Sequence, residues 1–443
     1  MTQAPFLSWT GILRLACVQT ALGAIVVLTT STLNRVMVVE LALPAMLPGA
    51  LVALHYGLQM VRPRFGHGSD LGGRRTPWIM GGMAALALGG ILAAIATALM
   101  TTSLPAGIGL AVLAFALIGL GVGAAGTNLL VLLAKRVEPR RRPAAATIVW
   151  VMMIAGFVVT AGLAGRFLDP FSPERLVAVS TAVSVCALLV ALLAVRGMES
   201  DVASPGPEPR ESPVPFKVAL AQVWGESRAR HFTIFIFVSM LAYSGQDLIL
   251  EPFAGTVFGY APGQSTSLAG VQNGGVLVGM IAVALLGTGL GGRRFGSLRL
   301  WTVGGCLASA LALAALSLAG SYGPAWPLRT SVFGLGLANG AFAVAAIGSM
   351  MELAGCGGRE GVRMGLWGAA QAVAFGLGGF LAAAAVDLVR WSLGSPVAAY
   401  TIVFCGEAAL FLVAAVLASR IGRPAPERRA AEMTLAWRGS AGG

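Results

Sequence analysis

Gly66–Arg75 reads GHGSDLGGRR, and Leu290–Arg294 repeats the last five letters of that stretch, LGGRR. Each copy follows a pair of apolar segments long enough to cross a bilayer, and the two lie about half a chain apart. A basic Gly-Arg-Arg turn recurring at that interval predicts a duplicated helical membrane protein. The first copy is the fuller one: Gly66, Asp70, Gly73, Arg74 and Arg75 stand in a G-x3-D-x2-G-R-R pattern. In the second copy Gly289 takes the place of the acid, so any device built on the Asp70 carboxylate is one-sided.

Composition agrees with the motif. Hydrophobic residues make up 57% of the 443, charged residues 11%, and the mean hydropathy is +0.82. A soluble domain carries roughly a quarter charged residues, so this chain reads as one dissolved in lipid. The net charge of +12 suits a bilayer protein with basic loops. Basic stretches interleaved with aromatics are missing, which argues against a nucleic-acid partner.

Apolar runs of the ~20 residues needed to cross a ~30 Å core fall near 13–37, 43–61, 77–100, 107–134, 144–165, 175–196, 231–253, 266–288, 298–319, 327–353, 363–388 and 397–419. The first is too long for a cleaved signal and lacks a basic start, so it is expected to remain as a span. The predicted fold class is all-α, twelve transmembrane helices in two six-helix repeats. The N-terminal bundle is 1–196 and the C-terminal bundle 230–420, followed by a tail over 421–443. With both termini cytoplasmic, all but five of the 30 Lys and Arg residues lie on the inner side; Arg35, Arg166, Arg175, Arg329 and Arg390 are the exceptions. Such asymmetry sets orientation during insertion. The joining segment 197–229 is Pro-rich from Pro205 to Pro215, hence extended at first. Phe216, Ala219, Leu220, Val223 and Trp224 then fall at helical spacing, which reads either as a short helix on the inner membrane surface or as a plain solvated linker.

Fainter echoes support the duplication: GLGVG at Gly119–Gly123 against GLGLA at Gly334–Ala338, and Trp150 against Trp367. Many of the 60 glycines lie inside helices, among them Gly274, Gly275 and Gly279. There, small residues let backbones approach and slide, or simply pack tightly. The five cysteines are isolated, with no metal-ligand or redox spacing.

Polar groups within the spans are few, and a charge in hydrocarbon costs kilocalories unless paired or hydrated. The first span ends STLNRVMVVEL, with Asn34, Arg35 and Glu40; its repeat equivalent, the seventh, ends YSGQDLILEP, with Gln246, Asp247 and Glu251. Both clusters lie toward the outer ends of their spans. Arg35 meeting Asp247 or Glu251 would form an ion-paired latch across the repeat interface, with Glu40 nearby; alternatively the set is hydrated and topological. At the inner turn Asp70 can pair with Arg74 or Arg75, or face the positive end of a neighbouring helix, holding that side closed.

The Asp70 pattern resembles the loop between the second and third helices of the major facilitator superfamily. Four longer stretches resemble signature segments of one branch of it, the PucC/LhaA family of bacteriochlorophyll delivery. They are STLNRVMVVELALPA (31–45), RPRFGHGSDLGGRRTPWI (62–79), AYSGQDLILEPFAGTVFGYAPGQST (242–266) and GREGVRMGLWGAAQAVAFGLGG (358–379). The chain is most similar to the shorter members associated with pigment synthesis. The resemblance implies a factor in assembling light-harvesting complexes, acting in the inner (cytoplasmic or intracytoplasmic) membrane of a phototroph. Its implied cargo is bacteriochlorophyll a or a late precursor. Its implied partners are the pigment synthase, nascent light-harvesting polypeptides and membrane lipids.

A chlorin needs an apolar slot and a fifth ligand for its magnesium. Of three histidines, His55 lies within the second span with Gln59 one turn on along the same face. It is the axial-ligand candidate, against the plainer reading of a core histidine bonded to a neighbour. His67 and His231 read as interfacial. Gln272, Asn273 and Gln371 offer oxygen donors, and Trp150, Trp367 and Phe375 offer flanking rings or ordinary packing. Two other functions stay open. A proton-coupled small-molecule transporter needs a carboxylate near the bilayer midplane, and of Glu40, Asp247, Glu251, Glu352, Asp387 and Glu407 only Glu407 is mid-span. A pigment-free scaffold needs neither. No nucleophile–base pairing, phosphate loop or metal cluster stands out, so no enzymatic activity, protein-bound metal or nucleotide is expected.

Overall fold

The computed structural model describes residues 6–62, 65, 74–138, 141–199, 221, 224–286, 297–354 and 360–420. Among these residues there is no strand. The helices are α1 (Trp9–Glu40), α2 (Met46–Val61), α3 (Thr76–Leu99), α4 (Leu104–Arg136), α5 (Arg142–Phe167), α6 (Pro173–Val195), α7 (Ser227–Phe258), α8 (Pro262–Leu285), α9 (Leu298–Tyr322), α10 (Leu328–Ala354), α11 (Glu360–Leu393) and α12 (Pro396–Arg420). Eleven are long and apolar enough to cross a membrane; α2 is a shorter apolar helix.

Local chemistry explains the ends. Ser8, Ser172 and Ser297 cap α1, α6 and α9 with their hydroxyls, satisfying amides that lack a helical partner. Proline opens α6, α8 and α12, where its missing N–H costs nothing. Gly259, at φ 68°, ends α7 in the left-handed conformation a glycine tolerates. α2 starts three residues later than its sequence span because Ala42 turns at φ 50° just before Pro44.

Two hydrophobic cores form, and the helix partners repeat between halves. α1 packs on α5 and α6 as α7 packs on α11 and α12; α3 packs on α4 and α6 as α9 packs on α10 and α12. The halves meet along α5–α8 and α2–α11, and Leu248 and Ala383 from the second half complete the first core. Of the predicted inner surface helix over Phe216–Trp224, only Ala221 and Trp224 are among the described residues, both helical and exposed; the rest lies outside them.

Hydrogen bonding differs between the two ends. At the end where α1 starts and α12 ends, Leu7 N bonds Arg136 O, Arg14 bonds Leu193 O and Arg196 O, and Arg299 bonds Ser419 O, each within one half. There too the Glu199 carboxylate, beyond α6, accepts from the Arg75 and Thr76 amides at 2.8 Å and caps α3. At the far end, bonds cross between the halves. The hydrogen bonds between the halves thus gather at the far end.

Candidate functional site

The far-end lacing is built by α1. This helix widens into π turns at Leu28–Thr32 and Val36–Glu40, leaving Leu33–Arg35 as one α turn between them. The amide of Leu41 bonds five residues back, to Val36 O, at 3.0 Å. Runs of Thr and Val hold the α form weakly because branched side chains crowd the preceding turn, and π turns often mark functional sites. The widening turns Asn34 and Arg35 toward α7, both buried.

α7 receives them for a covalent reason. Pro252 has no N–H, so the carbonyl one turn earlier, Leu248 O, loses its helical donor. Asn34 Nδ2 supplies one. Arg35 Nη2 donates to Tyr260 O, just past the Gly259 turn, and Nη1 pairs with Glu40 at 2.5 Å. Gly255 makes room: a side-chain carbon there would lie 3.1 Å from Arg35 Nη2. Thr32 and Thr266 hydroxyls meet at 3.0 Å.

This corrects the expected latch. The partner of Arg35 is Glu40 on its own helix together with a backbone carbonyl, because the π turn brings residue 40 beneath residue 35. Glu251 lies within reach of the Arg35 field, beside Ser31, Ser265 and Thr266, but neither of its oxygens has a hydrogen-bond partner. Asp247 is held by Gln272, Nε2 donating to Oδ1 at 3.0 Å.

Two acids complete the seam with related geometry. α2 begins LALPAM, with no capping side chain of its own; Asp387 of α11 accepts from Ala45 N at 3.0 Å and Met46 N at 2.7 Å. In the repeat-equivalent position, Asp169 after α5 sits against Gly263 in the first turn of α8. Each acid faces the positive end of a helix in the other half. Asp387→Ala is expected to cost about 1 kcal/mol, the usual worth of an N-cap, and to lengthen the distance between spin labels placed at the far ends of α2 and α11. An unchanged distance distribution and unfolding temperature would remove Asp387 from the seam.

Deeper in the second half, two more polar groups are buried. Gln246 is fully buried with no partner for its carboxamide, and Glu407 of α12 is 5% exposed with neither oxygen bonded. The Glu407 carboxylate rests over Gly245, where any side chain would overlap it. Buried polar groups without partners are rare outside working sites, and within a membrane they mark pathways or ligand positions.

Aromatic rings gather alongside. Tyr56 of α2 and Tyr243 of α7 lie 5.3 Å and 5.9 Å from Phe375 of α11, all half-buried. Gln371, one turn from Phe375, is also half-buried. Asn273 bonds to its own helix at Ala269 O, and His231 to Ser227. Trp367 packs edge-on against Phe232, and Trp150 joins Ile154, Val276 and Met280 between α5 and α8.

His55 is packed in rather than presented. Its Nε2 meets Gln59 Nε2 at 2.9 Å, Gln59 in turn bonds Arg62, and Nδ1 is buried. Gly119 of α4 lies against the His55 carbonyl. An axial magnesium ligand needs a ring nitrogen facing open space, and this packing offers none. Of the GHGSDLGGRR turn, Gly66, Asp70 and Gly73 lie outside the described residues. Arg74 and Arg75 precede α3, Arg75 being buried at 3% exposure.

Two bundles of six helices, related by a repeat and meeting along α5–α8 and α2–α11, define a fold of the major facilitator superfamily kind. A crystal structure of the peptide transporter POT, a mutant in complex with sulfate, matches with a TM-score of 0.70 over 95% of this chain and 97% of that one at 15% identity, a likeness of fold alone. A family model described as PUCC protein matches residues 32–425, and the chain belongs to that family. It is 54% identical over 417 residues to "Bacteriochlorophyll synthase 44.5 kDa chain" of Rhodobacter capsulatus, covering 94% of this chain and 96% of the relative. It is 31% identical to "Protein PucC" of the same organism, covering 92% and 91%.

Proposed function

We propose that this protein is a non-enzymatic membrane factor that takes bacteriochlorophyll, or a late precursor, from the pigment synthase and delivers it to nascent light-harvesting polypeptides. One observation carries the reading: near-full-length similarity, at 54% identity, to a relative named as a bacteriochlorophyll synthase chain. The half-buried rings of Tyr56, Tyr243 and Phe375, with Gln371 beside them, offer stacking surface and an oxygen donor suited to a magnesium chlorin. In this reading both termini are cytoplasmic, as the basic loops direct, and the laced far end is periplasmic in the inner or intracytoplasmic membrane. Cargo then enters from the cytoplasmic end or from the bilayer.

The test is replacement in Rhodobacter capsulatus lacking the 54% relative. Restored light-harvesting absorbance, with pigment synthase activity in extracts the same before and after, supports delivery. Synthase activity that itself depends on the chain would overturn a delivery role downstream of synthesis.

A second reading, a proton-coupled small-molecule transporter, is favoured by the unpartnered Glu407 carboxylate at mid-helix. Vesicle uptake driven by a proton gradient and lost in Glu407→Gln would establish it.

A further inference from the structure

α5 and α6 pack far more on α1 than on each other. Between them, toward the far end, lies a lateral groove of about 890 Å³. Its floor is small, Ala21 and Ala24 of α1; its walls include Val159 and Leu163 of α5 and Ala182 of α6. Val159 is 57% exposed and Leu163 50%, so the groove opens sideways, where hydrocarbon surrounds the bundle.

The mouth has a sign. Arg166 and Arg175 both line it. One acid, Asp169, lines the groove as well, with its carboxyl against Gly263 of α8, so the two arginines leave the mouth net positive; Glu174 lies on the opposite flank of α6 with Ala98 and Thr101 of α3. Neither arginine forms an ion pair among the described residues. Arg175 spends Nη1 on Pro170 O at 3.1 Å, leaving its other donors outward. An apolar slot ending in two guanidiniums at interface depth complements a chain-bearing anion, since arginine forks match phosphate oxygens. The volume is within the ~300–1,000 Å³ of sites that enclose a single small ligand.

We infer that this groove binds one anionic phospholipid, with its hydrocarbon between α5 and α6 and its phosphate between Arg166 and Arg175. The site is separate from the α2–α7–α11 ring cluster and does not depend on the pigment reading. It gives the N-terminal bundle a lipid-dependent brace beside Asp169, one of the acids of the far-end seam.

The test uses the full chain in nanodiscs of equimolar phosphatidylglycerol and phosphatidylcholine, extracted into mild detergent for native mass spectrometry. One retained phosphatidylglycerol is expected. Its preference over phosphatidylcholine falls about fivefold for each of Arg166→Gln and Arg175→Gln, and Ala182→Trp, at an exposed position in the wall, removes it. Equal retention of the two lipids would overturn the inference, as would a preference unchanged in the double arginine variant. Pigment displaced by Ala182→Trp while phosphatidylglycerol stays would assign the groove to another occupant and equally overturn it.

Discussion

Arg35→Ala is expected to destabilise the protein by about 3 kcal/mol, near the low end of the cost of removing one partner of a buried ion pair, because Glu40 keeps some access to water. Arg35 is 1% exposed and joins three groups: Glu40 by charge, Tyr260 O by hydrogen bond, and Glu251 through its field. Without the guanidinium, Glu251 loses the cation beside it and Tyr260 O loses its donor. Arg35→Lys keeps the charge but cannot serve Glu40 and Tyr260 O in two directions at once, so it recovers only part of the loss. Glu40→Gln is expected to cost much less, because the Glu40 side chain is 34% exposed and water replaces the pair. Thermal unfolding in detergent, followed by size-exclusion recovery, ranks the three. An Arg35→Ala protein within about 1 kcal/mol of wild type would show that the far end holds without Arg35.

Gly336→Val carries the second large effect. α8 and α10 cross with glycines on both sides: Gly275 and Gly279 meet Phe333 O and Leu337 O, while Gly336 and Gly340 meet Gln272 O and Val276 O. A side-chain carbon at Gly336 would overlap the Gln272 carbonyl, and backbone cannot step aside as a flexible side chain does. Overpacking of this kind costs about 1–3 kcal/mol. The displacement also reaches the buried acids, because Gln272 holds Asp247. Reduced thermal stability together with faster hydrogen exchange around Asp247 is the expected pair of results. Val tolerated on both measures would mean that α8 and α10 are looser than this crossing.

The architecture was readable because hydrophobic length and the LGGRR recurrence act along the chain. Twelve helices, two bundles and the neighbourhood of Asn34, Arg35 and Glu251 all follow from local pattern. The partners of those residues do not. Nothing near Arg35 in sequence announces that π turns bring Glu40 beneath it. Asp387 and Glu199 cap helices more than a hundred positions away, so no capping motif advertises them. One link did leave a trace: Pro252 necessarily frees the Leu248 carbonyl, and an Asn buried inside a span needs such an acceptor. The glycine pairs of α8 and α10 were visible as small residues, but their facing each other required the fold. His55 shows the opposite limit. Its i, i+4 relation to Gln59 was plain, yet that spacing serves a hydrogen bond between the two, and a ligand site needs an open face that no spacing reveals.

The central claim is that this protein carries pigment without making it. The most direct measurement is the absorption spectrum and pigment extract of the full chain, purified in mild detergent from a phototrophic host. Bacteriochlorophyll or a late precursor near one per chain, reduced when Phe375 is replaced by Ala and unchanged in His55→Ala, is the predicted result. A colourless protein that copurifies with synthase or antenna polypeptides would contradict the claim and leave a scaffold. A colourless protein without partners would leave the transporter.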